Sequence, residues 1–331
     1  MCVAEKLVRA GEIAMQQEIM FLKPAFQERI WGGTKLNTLF DYHIPSQNTG
    51  EAWVISAHKN GSSEISNGAL KGKNLMQAWE EHPELFGGGS EAREFPLLVK
   101  ILDANDNLSV QVHPDDDYAR NIEDEEFGKT ECWYVLDCEE QAEIILGHNA
   151  KSPLEFRKMV EEGKWDSLLK RVKVKKGDFF YVPSGTIHGI GKGIVILETQ
   201  QNSDLTYRVY DYDRKDANGV SRELHLDKSI EVTQYPYLKE ESDRIEKIVG
   251  DLHQTRLVQS QYFTVYHWKL NGTSQQSLIP NYLLVSVING SGEIVIGDRR
   301  YSFKKGDNFI LLSAVDSYEI MGNAEFIVSH E

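Results

Sequence analysis

The chain has 331 residues, of which 40% are hydrophobic and 26% charged, and it carries a formal net charge of -15. That length can bury a large core without disulfide staples, and the composition excludes a disordered or membrane-embedded chain. The acidic balance argues against nucleic acid as a partner, because binding it needs a basic face, and it obliges any anionic ligand to find a local cluster of cations.

Along the first 20 residues Glu5, Lys6, Arg9, Glu12 and Glu18 interrupt the apolar positions, so the segment lacks the core of a secretion signal and the protein is expected in the cytoplasm. No run reaches the roughly 18 apolar residues of a membrane span. Cys2, Cys132 and Cys138 are odd in number and show no zinc-site spacing, which predicts reduced thiols.

Strand signals then dominate, as β-branched and aromatic runs bounded by Gly, Asn or Asp: Ala52 to Ser56, Leu97 to Leu102, Trp133 to Leu136, Ala142 to Leu146, Val172 to Val174 and Phe179 to Val182. They predict a mainly β protein, a sandwich or barrel with few helices. The clearest helix starts at Ser152-Pro153-Leu154-Glu155, a capping-box pattern with Pro in the first turn, and ends at Gly163. Leu75 to Glu81, bounded by Asn74 and Pro83, and Leu226 to Gln234 are weaker helical segments. The charged stretch Glu240 to Arg256 reads as a linker.

An internal repeat organises the chain. Lys175-Lys176-Gly177-Asp178 precedes the apolar run Phe179 to Val182, and Lys304-Lys305-Gly306-Asp307 precedes Phe309 to Leu312. A β-rich stretch comes before each, Gln141 to Leu146 and Gly292 to Ile296. Counted from the glycine, His188 in the first copy corresponds to Ser317 in the second, so the C-terminal copy is expected to be a degenerate barrel without a metal site.

Three segments carry chemistry. In Leu108 to Pro114, strand alternation puts Ser109, Gln111 and His113 on one face and Val110 and Val112 on the other. In Gly128 to Tyr134, Lys129 and Glu131 share a side ahead of an apolar run. In Gly177 to His188, glycine, proline, glycine and histidine stand at the spacing of the second cupin motif, where Pro183 and Gly185 shape a bend that aims the His188 imidazole inward. Gln111, His113, Glu131 and His188 together make a mixed nitrogen and oxygen set that suits zinc and leaves room for a water or a sugar oxygen.

The sequence resembles the type I mannose-6-phosphate isomerases in their short bacterial form. The segments that carry the resemblance are Phe26 to Gly33, Gly50 to Trp53, Phe95 to Lys100, Leu108 to Pro114, Lys129 to Glu131, Val182 to Gly189 and Glu198 to Arg208. It implies a cupin (double-stranded β-helix, or jelly-roll) barrel over 19–238 with a small helical insertion near 152–171. An N-terminal extension would occupy 1–18, and a second, cupin-like β domain without metal would occupy 257–331. It implies one zinc ion per chain on Gln111, His113, Glu131 and His188, active-site cations at Lys129 and Arg208, and Asp204 as base or as a partner of Arg208. Lys100 and Ser109 are further candidates for contact with substrate or its phosphate. The implied reaction interconverts mannose 6-phosphate and fructose 6-phosphate through an enediol, in a monomer or homodimer that binds neither nucleic acid nor membrane. Gly128 departs from family members that carry histidine beside the lysine. Competing readings are a non-catalytic sugar-phosphate-binding or regulatory metal cupin and another metal cupin enzyme, such as an iron oxygenase or a different isomerase; Gln111 stands where oxygenases of this fold usually place histidine.

Overall fold

Every strand expected above forms, and the strands pair antiparallel, in a computed structural model that describes residues 18–88, 94–216, 218–240, 242–278 and 280–331. The expected extension up to residue 17, and Cys2 within it, lie outside the described residues; Cys132 and Cys138 are free thiols. A six-stranded sheet runs, in spatial order, Phe179–Val182, Glu131–Cys138, Ile194–Gln201, Leu97–Ala104, Thr49–Ile55 and Ala25–Gly33. A five-stranded sheet runs Leu169–Lys173, Glu143–His148, His188–Ile190, Val110–Val112 and Tyr207–Tyr210. The two face each other as a jelly-roll, and Trp133 of one meets His188 of the other with ring centroids 5.5 Å apart.

Helices sit at the periphery. Asn74 caps Leu75–Glu81 in a reciprocal box with Gln77. Ser152 accepts from the Glu155 amide at the start of Pro153–Glu161, but the Glu155 carboxylate takes the Lys151 amide rather than completing the box. The third helix ends two residues earlier than expected, Leu226–Val232, and its continuation is bent back by the Gln234 amide donating to the Gly185 carbonyl.

The repeat is physical. Gly177 and Gly306 have φ of 88° and 92°, which only glycine adopts cheaply. The Gly177 amide donates to Val135 O, and the Val135 amide to Asp178 O; Gly306, Val287 and Asp307 repeat both bonds, all four at 2.9 Å. The copies diverge after the next bend. His188 is buried, whereas Ser317 is exposed and the neighbouring Tyr318 takes the interior position.

The linker expectation needs correcting. Ile245–Val249 and Leu252–Gln259 form a hairpin at the edge of a nine-stranded sheet that also holds Thr264–Ser277, Ser317–His330, Leu283–Ile296 and Asn308–Leu311. The nine-stranded sheet thus takes in residues from Ile245 onward, inside the stretch read as a linker. Its edge strand is held by main-chain bonds and is largely exposed, so it can be charged and poor in apolar residues, as edge strands often are. The N-terminal strand Ile19–Lys23 crosses over to pair with Asn308–Leu311, and one apolar cluster, including Met20, Val54, Leu197, Leu257 and Ile310, joins the two units.

Candidate active site

Two cross-strand rows build the site. In the six-stranded sheet, register places Trp53 opposite Lys100, Lys100 opposite Glu198, and Glu198 opposite Trp133. In the five-stranded sheet the row is Leu146, His188, Gln111 and Arg208. The two rows flank a cavity of ≈ 340 Å³.

His113, Glu131 and His188 lie within 4.8 Å of one another and are each about 99% buried, the one such cluster of three among the described residues. The Nδ1 of His113 donates to Leu205 O at 2.7 Å and that of His188 to Thr186 O at 2.8 Å; a carbonyl can only accept, so each ring presents an unprotonated Nε2. Burial, followed by the Lys129 charge, pushes His113 down to about 3, and burial likewise lowers His188, so both rings stand neutral. Two lone pairs then face each other at 3.1 Å, with a Glu131 oxygen 3.4 Å from each nitrogen. That arrangement is repulsive unless a cation lies among the atoms. In these contacts the Lys129 ammonium serves, bonded to Glu131 and 3.1 Å from His113 Nε2. Burial alone would raise the Glu131 carboxyl, but the Lys129 ammonium bonded to it outweighs burial and holds it well below the usual range. The donor set of two neutral imidazoles and one carboxylate fits a divalent metal of zinc type. Gln111 brings its amide 3.4 Å from His188 Nε2, beside the trio and half-buried.

The alternation expected for 109–113 holds. Ser109 and Gln111 line the cavity, with the Ser109 hydroxyl donating to Gln111 at 3.3 Å. Val110 and Val112 are fully buried behind it, in a cluster with Ile145, Phe156, Ile187 and Val209. Val112→Ala should therefore cost about 2 kcal/mol of stability, from two lost methyls and the cavity they leave, with metal content unchanged. Gln111→Ala should lower metal affinity or turnover at nearly unchanged melting temperature. Thermal melts with metal analysis check both, and if both variants act only on stability the assigned facing is wrong.

Lys100, Lys129, Asp204 and Arg208 also line the cavity. Lys100 lies 3.6 Å from Glu198 and over the Trp53 ring at 4.9 Å. Asp204 does not pair with Arg208: it accepts from Asn60 at 2.7 Å and stands 3.8 Å from His58. The expected partnership fails because Arg208 turns its NH1 to the Glu223 carbonyl at 2.8 Å, and its buried Nε has no partner. Gly128 is explained by space, since a Cβ there would meet the backbone of Asp115 at 2.3 Å.

Sequence reasoning passed over Arg29, Glu51, Glu198 and Arg222 as site residues. Glu51 binds Arg29 through both oxygens, at 3.0 and 3.2 Å, and takes the Trp53 indole N–H at 2.6 Å. Glu198 accepts from the Trp133 indole at 3.0 Å, and burial, then Glu131, raises its carboxyl. A carboxylate that follows directly on the apolar run Ile194 to Leu197 is the signal that could have found Glu198. Arg222 has none, because the loop that carries it follows no period.

A buried His-Glu-His cluster inside a jelly-roll barrel defines a cupin with a metal-type centre. The family model "Phosphomannose isomerase type I, catalytic domain" matches residues 19–145, and "Mannose-6-phosphate isomerase, cupin domain" matches 253–331. The chain is 54% identical to mannose-6-phosphate isomerase ManA of Bacillus subtilis, over 96% of this chain and 100% of that protein. It is 52% identical to the mannose-6-phosphate isomerase of Streptococcus mutans, over 95% and 98%. A crystal structure of the mannose 6-phosphate isomerase from Bacillus subtilis superposes with a TM-score of 0.93 at 49% identity, covering 95% of this chain and all of that one. The chain belongs to the type I phosphomannose isomerase family.

Proposed function

We propose that this protein is a zinc-dependent mannose-6-phosphate isomerase, interconverting mannose 6-phosphate and fructose 6-phosphate. The observation that carries the reading is a buried trio of two neutral imidazoles with facing lone pairs and one carboxylate, which meets through His188 a cavity also lined by two cations, Lys129 and Arg208, in a chain about half identical to such isomerases over nearly its whole length. His113, Glu131 and His188, with Gln111 beside them, would hold the zinc, one per chain. When bound, zinc supplies a Lewis acid for the substrate oxygen on which negative charge develops.

The chain's own residues do the rest. Lys129, anchored by Glu131, presents a fixed positive charge in a dry pocket, where such charge stabilises a developing oxyanion far better than in water. Asp204, with one oxygen held by Asn60 and its side chain 40% exposed, moves the proton between carbons 2 and 1 on the way through the enediol. Lys100 and Ser109 bind sugar hydroxyls. Catalysis belongs to the barrel over 19–238, and the C-terminal barrel keeps the fold without the ligands. A cytoplasmic monomer or homodimer without nucleic-acid or membrane partners suits the net charge of -15, and no described helix is long and apolar enough to cross a membrane.

A coupled assay for fructose 6-phosphate, run before and after chelation with metal analysis of the purified protein, tests the reading. We expect about one zinc per chain and turnover that falls on chelation and returns with zinc. Tight metal binding with no turnover of mannose 6-phosphate would favour a binding or regulatory cupin instead.

A further inference from the structure

The walls of the cavity differ in charge balance. On one side Arg29 and Lys100 are matched by Glu51 and Glu198, so that wall is close to neutral. At the other end Arg208, Arg214 and Arg222 surround one buried carboxylate, Asp211. Arg222 donates to both Asp211 oxygens, at 2.8 and 2.5 Å, and Arg214 donates to one of them at 2.6 Å. Asp211 is thereby saturated, and among the described residues no carboxylate forms an ion pair with Arg208. Three guanidinium groups against two carboxylates, Asp211 and the Asp106 that lies 3.5 Å from Arg214, leave a surplus of one positive charge beside the cavity, that of Arg208, in a protein whose net charge is -15. Arg208 and Arg222 both line that cavity, whereas Arg214 reaches away to the Asp106–Asn107 turn and pins the segment there.

We infer that Arg222, held in place by Asp211 and paired with Arg208, forms the receptor for the dianionic phosphate of the substrate. Planar forks that grip two oxygens each suit a phosphate better than point charges do. The position also fits. Arg208 lies two strands from His188 in the five-stranded sheet, about 10 Å at ordinary strand spacing, a distance that an extended six-carbon sugar phosphate spans from its carbonyl end to its phosphorus. Asp211 is a positioning residue: it touches no substrate, but both its oxygens fix where Arg222 points. The inference rests on the sugar-phosphate reading above and names which wall of the cavity takes the phosphate, that of the five-stranded sheet rather than that of Lys100.

The test is Arg222→Ala beside the wild type, with two separate readouts. In the coupled assay, KM for mannose 6-phosphate should rise about 10- to 100-fold, the usual loss for a charge-assisted hydrogen bond, while kcat changes much less and metal content stays the same. In calorimetric titration with inorganic phosphate alone, affinity should fall by a similar factor. Asp211→Asn should shift KM in the same direction by less, and Arg222→Lys should restore only part of the affinity. Unchanged KM and unchanged phosphate affinity in Arg222→Ala would overturn the assignment. If the wild type fails to turn over mannose 6-phosphate, the isomerase reading fails by itself, and the phosphate titration still decides whether Arg222 binds the anion.

Discussion

His188→Ala is expected to purify without its metal and to lose more than about 100-fold in activity, since even outer-shell partners of a metal ligand typically cost 10- to 100-fold. The ring it removes is one of the two that present a bare Nε2 to the centre, fixed in that tautomer by the Thr186 carbonyl. Its loss leaves His113, Glu131 and the Gln111 amide, too few strong ligands to hold zinc tightly in competition with water. The matched control is Ser317→Ala. Ser317 occupies the counterpart position by count but is exposed in the second barrel, with Tyr318 turned inward. That variant should keep metal, activity and melting temperature, because an exposed serine hydroxyl away from any cap contributes little. Elemental analysis and the coupled assay on both proteins decide the matter, and equal metal content in wild type and His188→Ala would remove the centre from these residues.

Arg208→Lys should fold, retain its metal and melt near the wild-type temperature, yet lose about 10- to 100-fold in kcat/KM, because lysine keeps the charge but not the planar two-oxygen fork. The bland alternative for Arg208 is a surface ion pair with Asp204, Asp211 or Asp213, worth about 0 to 1 kcal/mol. The geometry removes its partners: Asp204 is engaged by Asn60, both Asp211 oxygens are taken by Arg214 and Arg222, and Asp213 makes no ion pair with Arg208. What remains is a half-buried guanidinium whose Nε lacks a partner, pushed down by burial and then by Arg222, as expected of a cation awaiting an anion. Steady-state kinetics separate two forms of the effect. A fall in kcat with KM unchanged places the contact in the transition state, and a rise in KM alone places it in ground-state binding. Near-normal kinetics in both Arg208→Lys and Arg208→Ala would return the residue to the structure.

Part of the site is legible in the amino-acid sequence because its signal is local. Alternation over Leu108 to Pro114 assigns Gln111 and His113 to one face and the valines to the other, since successive strand side chains point opposite ways whatever lies across from them. The spacing of Gly177, Pro183, Gly185 and His188 is likewise local: a left-handed glycine, a proline bend and a histidine read as a turn that delivers one ring. The match of Lys175 to Asp178 with Lys304 to Asp307 reveals two barrels for the same reason, because each turn closes its own hydrogen bonds.

Other features exist only once strands find their partners. Nothing near Glu198 announces that it faces Lys100 on one neighbour and Trp133 on the other; that row is set by register between strands about 65 to 98 residues away. The hairpin at Ile245 to Gln259 reads as a linker because an exposed edge strand is held by main-chain bonds, which leave no apolar pattern in the sequence. Arg222 lies in a loop without period, and only the fold brings it to Asp211 and then to the cavity. By itself, then, the sequence determined the turns and the facing of strand residues, including those of the candidate metal site, all governed by backbone geometry within a few residues. The tertiary structure alone decided which charges neutralise one another and which are left over, because Coulomb interactions in a dry cavity depend on distances between segments that local sequence does not specify.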